Sequence, residues 1–162
     1  MINKFFIGSC CIALIFVMGC YLISQHYVIQ ISSSMPRGLY KKIPISKPIE
    51  RGQLVLIHLP EEIKQLMLSR KWIPKYLTYH LMKPVAAIQG DHVRVNLDGV
   101  YINGEYQGAV KRLDRQGIAL PQLKWNAIIE KDMFFVLGNF ANSFDSRYFG
   151  PVHLKDIVCV VE

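Results

Sequence analysis

Hydrophobic residues are most concentrated near the N-terminus, where residues 5–24 include no charged residue. A helix of about 20 residues spans roughly 30 Å, which is the thickness of a bilayer core. The stretch is longer than the apolar part of most signal peptides, and no clear small-residue cleavage site follows it. The pattern predicts a retained membrane anchor at 5–24, between a short N-terminus at 1–4 and a larger domain at 25–162. A cleaved signal peptide and a lipoprotein box at Val17–Cys20 remain alternatives.

Beyond the anchor, short apolar or alternating segments are separated by polar breaks, a pattern typical of β-strands. The dipeptides Asp98-Gly99 and Asn103-Gly104 favour tight hairpin turns. Only residues 61–72 have helical spacing. The predicted strands are 27–31, 39–45, 53–59, 83–88, 92–95, 100–102, one starting at 106, 133–137 and 157–161, and residues 110–131 are predicted to be irregular. These elements predict a mostly β domain, a curled antiparallel sheet or small barrel with one short helix, behind a single transmembrane helix.

The charge of the chain narrows its possible partners. Nineteen Lys and Arg residues against twelve Asp and Glu residues give a net charge of +7, but the basic residues are scattered without aromatic interleaving. This distribution argues against a nucleic-acid partner. Lys4 is the only charged residue before the anchor, which favours a cytoplasmic N-terminus and a domain on the other side of the membrane.

The positions of the cysteines and histidines argue against an internal disulfide and a metal site. Cys159 is the only cysteine beyond the anchor, so the domain cannot form an internal disulfide, and its alternation with valines predicts a buried strand position. The five histidines lack metal-ligand spacing. We therefore expect no metal and no cofactor.

Three segments combine residues that could carry peptide-bond chemistry: 32–40 (SSSMPRGLY), 83–91 (KPVAAIQGD) and 137–150 (LGNFANSFDSRYFG). A serine hydroxyl is a poor nucleophile unless a base takes its proton. A lysine with its reference pKa of about 10.4 is neutral in only roughly one molecule in a thousand near pH 7.5. Burial lowers the pKa of lysine by up to about 3–5 units. Lys83 has this setting, because its neighbours include Leu81, Met82 and Val85.

Taken singly, each segment has an ordinary explanation as a linker, a solvated lysine or a turn. Together they resemble the boxes of the type I signal peptidase family (S26), which are membrane-anchored Ser-Lys peptidases. The matching patterns are a serine before Met-Pro soon after the anchor, K-x-V-x-x-x-x-G-D and N-S-x-D-S-R-Y-x-G. The single Met35 and the small size of the chain are more similar to the TraF-type branch, whose members process pilin precursors in conjugal transfer.

The resemblance implies a role for each matching residue. Ser34 is the expected nucleophile and Lys83 the general base. Ser32, together with the backbone N–H of Ser34, is expected to form the oxyanion hole. Ser143 is expected to orient the lysine. Asp145 and Arg147 are expected to form a supporting ion pair.

Three positions depart from the family pattern. Pro84 stands where a basic residue is usual, Gln89 where proline is usual, and Asn139 where the Gly-Asp box has aspartate. None of them removes a group that makes or breaks a bond, so the expected roles stand.

The resemblance therefore implies a Ser-Lys endopeptidase that processes a pilin or leader-peptide precursor in conjugative transfer or type IV secretion. It would lie in the bacterial inner membrane with its catalytic domain in the periplasm. Its acyl-enzyme could be resolved by water or by the amine of the substrate, which would cyclise the pilin. Its partners would be the precursor, the lipid bilayer and other proteins of the transfer apparatus. The alternatives are a general signal peptidase for secreted proteins and a non-catalytic component of the apparatus.

Overall fold

The computed structural model describes residues 4–31, 35–73, 80–140 and 142–162, with side chains from residue 8 onward in the first helix. That helix, α1 (Lys4–His26), has exposed apolar side chains. Within the described residues one helix, Gly8–His26, is long and apolar enough to cross a membrane, with a mean hydropathy of 1.8. It extends two residues beyond the predicted anchor and leads directly into the first strand.

The described part of the domain forms eleven strands. In chain order they are β1 (Tyr27–Gln30), β2 (Gly38–Ile43), β3 (Leu54–His58), β4 (His80–Ala87), β5 (His92–Asn96), β6 (Gly99–Ile102), β7 (Glu105–Gly108), β8 (Trp125–Ile128), β9 (Met133–Val136), β10 (Val152–His153) and β11 (Ile157–Val161). The helices beyond α1 are α2 (Glu61–Ser69), α3 (Ser146–Phe149) and a 3-10 turn, Leu154–Asp156.

The strands make two sheets in which every described pair is antiparallel. Seven strands form one sheet in the order β1-β2-β11-β3-β4-β9-β10, and four form the other in the order β7-β6-β5-β8. The prediction of a mostly β, antiparallel domain behind an apolar N-terminal helix is confirmed.

The core joins the two sheets through β4 and β9. Ala87 and Phe135 pack with Val93, Val95 and other buried residues of the four-stranded sheet. On the neighbouring positions of the same strands, Val85 and Val136 pack against β3 and β11. Because β4 contributes Ala87 to one cluster and Val85 to the other, both clusters fix the position of this strand. Cys159 is buried in a third cluster, as predicted.

Several helices, strands and turns end at other residues than the sequence predicts. The predicted helix at 61–72 ends at Ser69, and the predicted strand at 39–45 ends at Ile43, before Pro44. The first hairpin turn lies at Leu97-Asp98, one residue before the predicted dipeptide, because Asn96 pairs with Gly99. At the second turn, Asn103-Gly104 takes the predicted positive φ at both residues.

The stretch at 110–131 contains the least expected element. It was predicted to be irregular, yet β8 forms within it and pairs with β5 from Val95 to His92. The alternation of half-buried and exposed residues in β8 covers only four positions. A period that short is difficult to distinguish from a polar loop.

Candidate active site

The strand β4 places Lys83 in the protein interior. Lys83 lies opposite Val55 of β3 and is only 1% exposed, among buried neighbours such as Met82 and Val85. Lysine is almost never fully buried without a specific reason. The structure confirms that Lys83 is buried, as its apolar neighbours predicted.

Burial changes the acid–base chemistry of this amine. Desolvation lowers the pKa of Lys83 to about 8; the carboxylate of Asp145 opposes this shift, and the guanidinium of Arg147 adds to it. With a pKa near 8, roughly one quarter of the Lys83 side chains are neutral at pH 7.5, compared with about one in a thousand for an exposed lysine. A neutral amine of this kind can act as a general base at physiological pH.

The loop after β9 brings Ser143 to the same cavity. Ser143 is 2% exposed, and Lys83 and Ser143 both line a cavity of about 480 Å³ that opens to the surface. Within the described part of the chain, the Oγ of Ser143 has no hydrogen-bond partner. Leaving a buried hydroxyl unpaired costs about 1–3 kcal/mol. Such a group in a cavity beside a buried base is a candidate for positioning that base.

A buried ion pair fixes the loop that carries Ser143. Arg147 Nε donates to Asp145 Oδ1 at 2.7 Å, and both side chains are at most 4% exposed. Asp145 Oδ2 also accepts the backbone N–H of Gly138 at 2.9 Å, while Arg147 donates to the carbonyl oxygens of Gly138 and Ala109. Asp145 therefore holds both ends of the loop from 138 to 145.

The same segment completes the end of β9. Asp145 caps α3 by accepting the backbone N–H of Arg147, and Ser146 Oγ accepts the backbone N–H of Val136 at 3.0 Å. These side chains satisfy buried backbone donors. The sequence Asp-Ser-Arg at 145–147 is thus explained by hydrogen bonding within the described fold.

Aromatic packing connects this loop to α2. Phe144 stacks on Tyr148 with ring centroids 5.2 Å apart and contacts Trp72 at 5.0 Å. Trp72 follows the end of α2 and lines the cavity. The last part of α2 and the turn after it therefore form part of the cavity wall, and Trp72 packs this turn against the loop that carries Ser143.

Gly138 is required by the position of Ser143. A Cβ at residue 138 would overlap Ser143 Oγ and lie 2.7 Å from Ser143 Cβ. We expect Gly138→Ala to push Ser143 away from the cavity and to lower kcat at least tenfold in a peptide-cleavage assay.

The control for that substitution is Gly19→Ala in α1, where an added Cβ meets no described atom within 4 Å. It tests for a general effect of exchanging glycine for alanine. Wild-type kcat in Gly138→Ala would contradict a positioning role for Ser143.

The structure brings Lys83, Ser143, Asp145 and Arg147 to one region, and the roles that the resemblance implies for them stay predictions. Ser32 and Ser34 lie outside the described residues, so their predicted roles stay predictions. Met35, the residue after Ser34, is buried.

The three departures from the family pattern lie at positions that tolerate them. Gln89 and Asn139 are exposed. Pro84 has no N–H to donate, but its carbonyl oxygen accepts the backbone N–H of Leu137 at 3.1 Å and thereby links β4 to the loop after β9.

Sequence reasoning missed several residues at the cavity. Lys71, Lys111 and Arg115 line it but belong to no recognisable motif. Gly138 belongs to the segment 137–150, but its steric role depends on the side chain of Ser143, five residues away. Only the folded chain shows these contacts.

Comparison with known proteins assigns the class of the protein. The family described as signal peptidase, peptidase S26, matches residues 2–162. The chain belongs to this family and is a membrane-anchored serine peptidase.

Two of the relatives that this chain matches are transfer proteins. The chain is 32% identical over 139 residues to a plasmid transfer protein TraF of Escherichia coli, covering 80% of this chain and 77% of that one. It is 28% identical over 136 residues to conjugal transfer protein TraF of Agrobacterium fabrum, covering 78% and 74%. A signal peptidase I crystal structure from Enterococcus faecalis matches with a TM-score of 0.42 and 22% identity, over 72% of this chain and 98% of that one.

Proposed function

We propose that this chain is a Ser-Lys endopeptidase that processes a pilin or leader-peptide precursor in conjugative transfer or type IV secretion. The observation that supports the chemistry best is the buried Lys83, with its pKa lowered to about 8, in a cavity shared with Ser143. The relatives named for conjugal and plasmid transfer support the biological setting.

The proposed reaction begins when neutral Lys83 takes the proton of the Ser34 hydroxyl. The Ser34 oxygen attacks the scissile carbonyl, and the oxyanion is held by the backbone N–H of Ser34 and the hydroxyl of Ser32. The protonated Lys83 then gives its proton to the leaving amine, which leaves an ester between substrate and Ser34. Ser143 keeps the amine of Lys83 aimed during both transfers.

The second half of the reaction decides the product. Water attacking the ester gives a linear fragment, and Lys83 again serves as the base. The substrate's own N-terminal amine attacking the same ester gives a cyclic pilin. Both routes regenerate the Ser34 hydroxyl, and they differ only in the nucleophile.

The edge of β4 is a suitable site for an extended substrate. His80, Leu81 and Met82 pair with β3 and with no other described strand, whereas β9 pairs with β4 only at Val85 and Ala87. A peptide added along this free edge would pass Lys83, and its main-chain hydrogen bonds would provide affinity.

The anchor would hold the site near the bilayer. Ser34 is the tenth residue after the predicted anchor, and the β1–β2 hairpin follows α1 directly. Ile29 and Leu39 are paired across this hairpin and are 70% and 59% exposed, so the hairpin offers an apolar surface beside the anchor. We place α1 in the bacterial inner membrane and the β domain in the periplasm, with Lys4 on the cytoplasmic side.

The intact mass of the pilin precursor of the same transfer system tests the proposal. The precursor is co-expressed with the native chain, with Ser34→Ala or with Ser34→Thr as a conservative variant. We expect shortening with the native chain only, and a product lighter by one water than the linear fragment would show cyclisation.

Two results would favour the alternatives. Normal processing with Ser34→Ala would contradict the proposal and support a non-catalytic assembly component. Rescue of a cell that lacks its housekeeping signal peptidase would instead support a general signal peptidase for secreted proteins.

A further inference from the structure

The cavity beside Lys83 has an excess of positive charge. Of the described residues that line it besides the base Lys83, three are basic and only Asp114 is acidic; the basic ones are Lys71, Lys111 and Arg115. The carboxylate of Asp114 is already satisfied, because it pairs with Arg70 at 2.9 Å and accepts the backbone N–H groups of Gln116 and Ile118. The charge that remains at the cavity therefore favours an anion.

Lys111 is the best-positioned of these cations. Its backbone N–H donates to the hydroxyl of Tyr148 at 3.2 Å, and its Nζ donates to Asn142 Oδ1. Asn142 directly precedes Ser143, so the ammonium group lies at the rim of the cavity next to the Ser143 loop. An ammonium group has three N–H donors, and Asn142 takes one of them.

Lys71 lines the cavity from the turn that follows the end of α2. Its φ of 55° lies in the left-handed region, which is costly for a residue with a side chain. The backbone N–H groups of Lys71 and Trp72 donate to Leu68 and Met67, each at 3.0 Å, and thereby fix this turn. The turn puts a lysine on the cavity wall where glycine would be the unstrained choice.

We propose that this cavity binds a carboxylate of the substrate, with Lys111 as the specificity-determining residue. The carboxylate comes from an acidic side chain near the scissile bond or from the C-terminus of the precursor. This inference rests on the proposed function, since it names a chemical feature of the same substrate. A carboxylate within hydrogen-bond distance of a fixed ammonium gains a charge-assisted bond, and its strength falls with salt because the rim is exposed.

Peptide binding to the full-length Ser34→Ala chain in detergent micelles tests the inference without cleavage. The probes are three dansyl-labelled peptides: Ala-Ala-Gln-Ala-Ala amide, its Glu counterpart as an amide, and the Gln peptide with a free carboxylate. We expect the Glu amide, the free acid or both to bind at least about fivefold more tightly than the Gln amide at low salt. Which of them gains affinity identifies the source of the carboxylate.

Substitutions in the same Ser34→Ala background assign the preference to Lys111. Lys111→Gln is expected to bring the affinity ratio close to 1, and Lys111→Glu to invert it. Lys131→Gln, which removes an exposed lysine outside the cavity lining, is the matched control and should keep the parent ratio.

Equal affinities for all three peptides, or a preference that survives Lys111→Gln, would overturn the inference. The result is separate from the test of function. A chain that prefers carboxylates but leaves the pilin precursor uncut refutes the proposed function, and one that processes the precursor without this preference refutes only the carboxylate site.

Discussion

Lys83→Met is expected to abolish peptide cleavage and, at the same time, to stabilise the fold below pH 8. Methionine has a similar volume and needs no hydration, so it suits the buried position. Loss of the base should lower kcat at least about a thousandfold, as for other members of catalytic dyads and triads. An active-site substitution that increases stability indicates that the native residue is kept there for function.

The stability gain has a defined pH dependence. The pKa of Lys83 is lowered from 10.5 to about 8 by folding, so the charged form is disfavoured in the native state. At 1.36 kcal/mol per unit, this penalty is about 3 kcal/mol, present in full below pH 8 and relieved as the pH rises from 8 towards 10.5. The gain from Lys83→Met should therefore be largest near pH 6.5 and small near pH 10.5.

Urea unfolding of the full-length chain in detergent at these two pH values measures the difference. Lys155→Met, at an exposed position, is the control and should give no pH-dependent gain. If Lys83→Met destabilised the chain equally at both pH values, the lysine would not carry a desolvation penalty.

Arg147→Met is expected to destabilise the domain by about 3–5 kcal/mol, because it leaves the buried Asp145 carboxylate without its charge partner. Asp145 is 0% exposed, and of its hydrogen bonds from described residues only those from the backbone N–H groups of Gly138 and Arg147 would remain. Arg147 also donates to the carbonyl oxygens of Gly138 and Ala109, and these bonds would be lost as well. Thermal unfolding of the full-length chain is the measurement.

The matched control for the ion pair is Arg51→Met. Arg51 pairs with Asp91 but is 53% exposed, and Asp91 keeps hydrogen bonds from Asn103 and from the backbone N–H of Ile88. Its loss should cost about 1 kcal/mol or less. Similar losses of stability in the two variants would mean that the Asp145–Arg147 pair stabilises the domain no more than the partly exposed pair does.

The sequence predicted the features that depend on local pattern. The apolar N-terminal helix, most strands and the burial of Lys83 follow from runs or alternations of apolar residues around them. The joint position of Lys83, Ser143, Asp145 and Arg147 came from resemblance to a family, because no periodicity places segments 60 residues apart side by side.

Other features depend on contacts between distant segments and had no local signal. The strand β8 forms because β5 offers it an edge, although its own four residues read as a loop. Lys111 reaches the cavity because Tyr148 and Asn142 hold it. Asp145 was expected to pair with Arg147, but its hydrogen bond to Gly138 required the loop geometry.

The pH dependence of kcat/KM tests most directly whether Lys83 acts as a buried base with a lowered pKa. This parameter reports the ionisation of the free enzyme. With a cleavable precursor peptide and the full-length chain, we expect kcat/KM to rise with pH through an apparent pKa near 8 and to reach a plateau. A profile that is flat from pH 6 to 10, or that rises only above about pH 10 as for an exposed lysine, would contradict it.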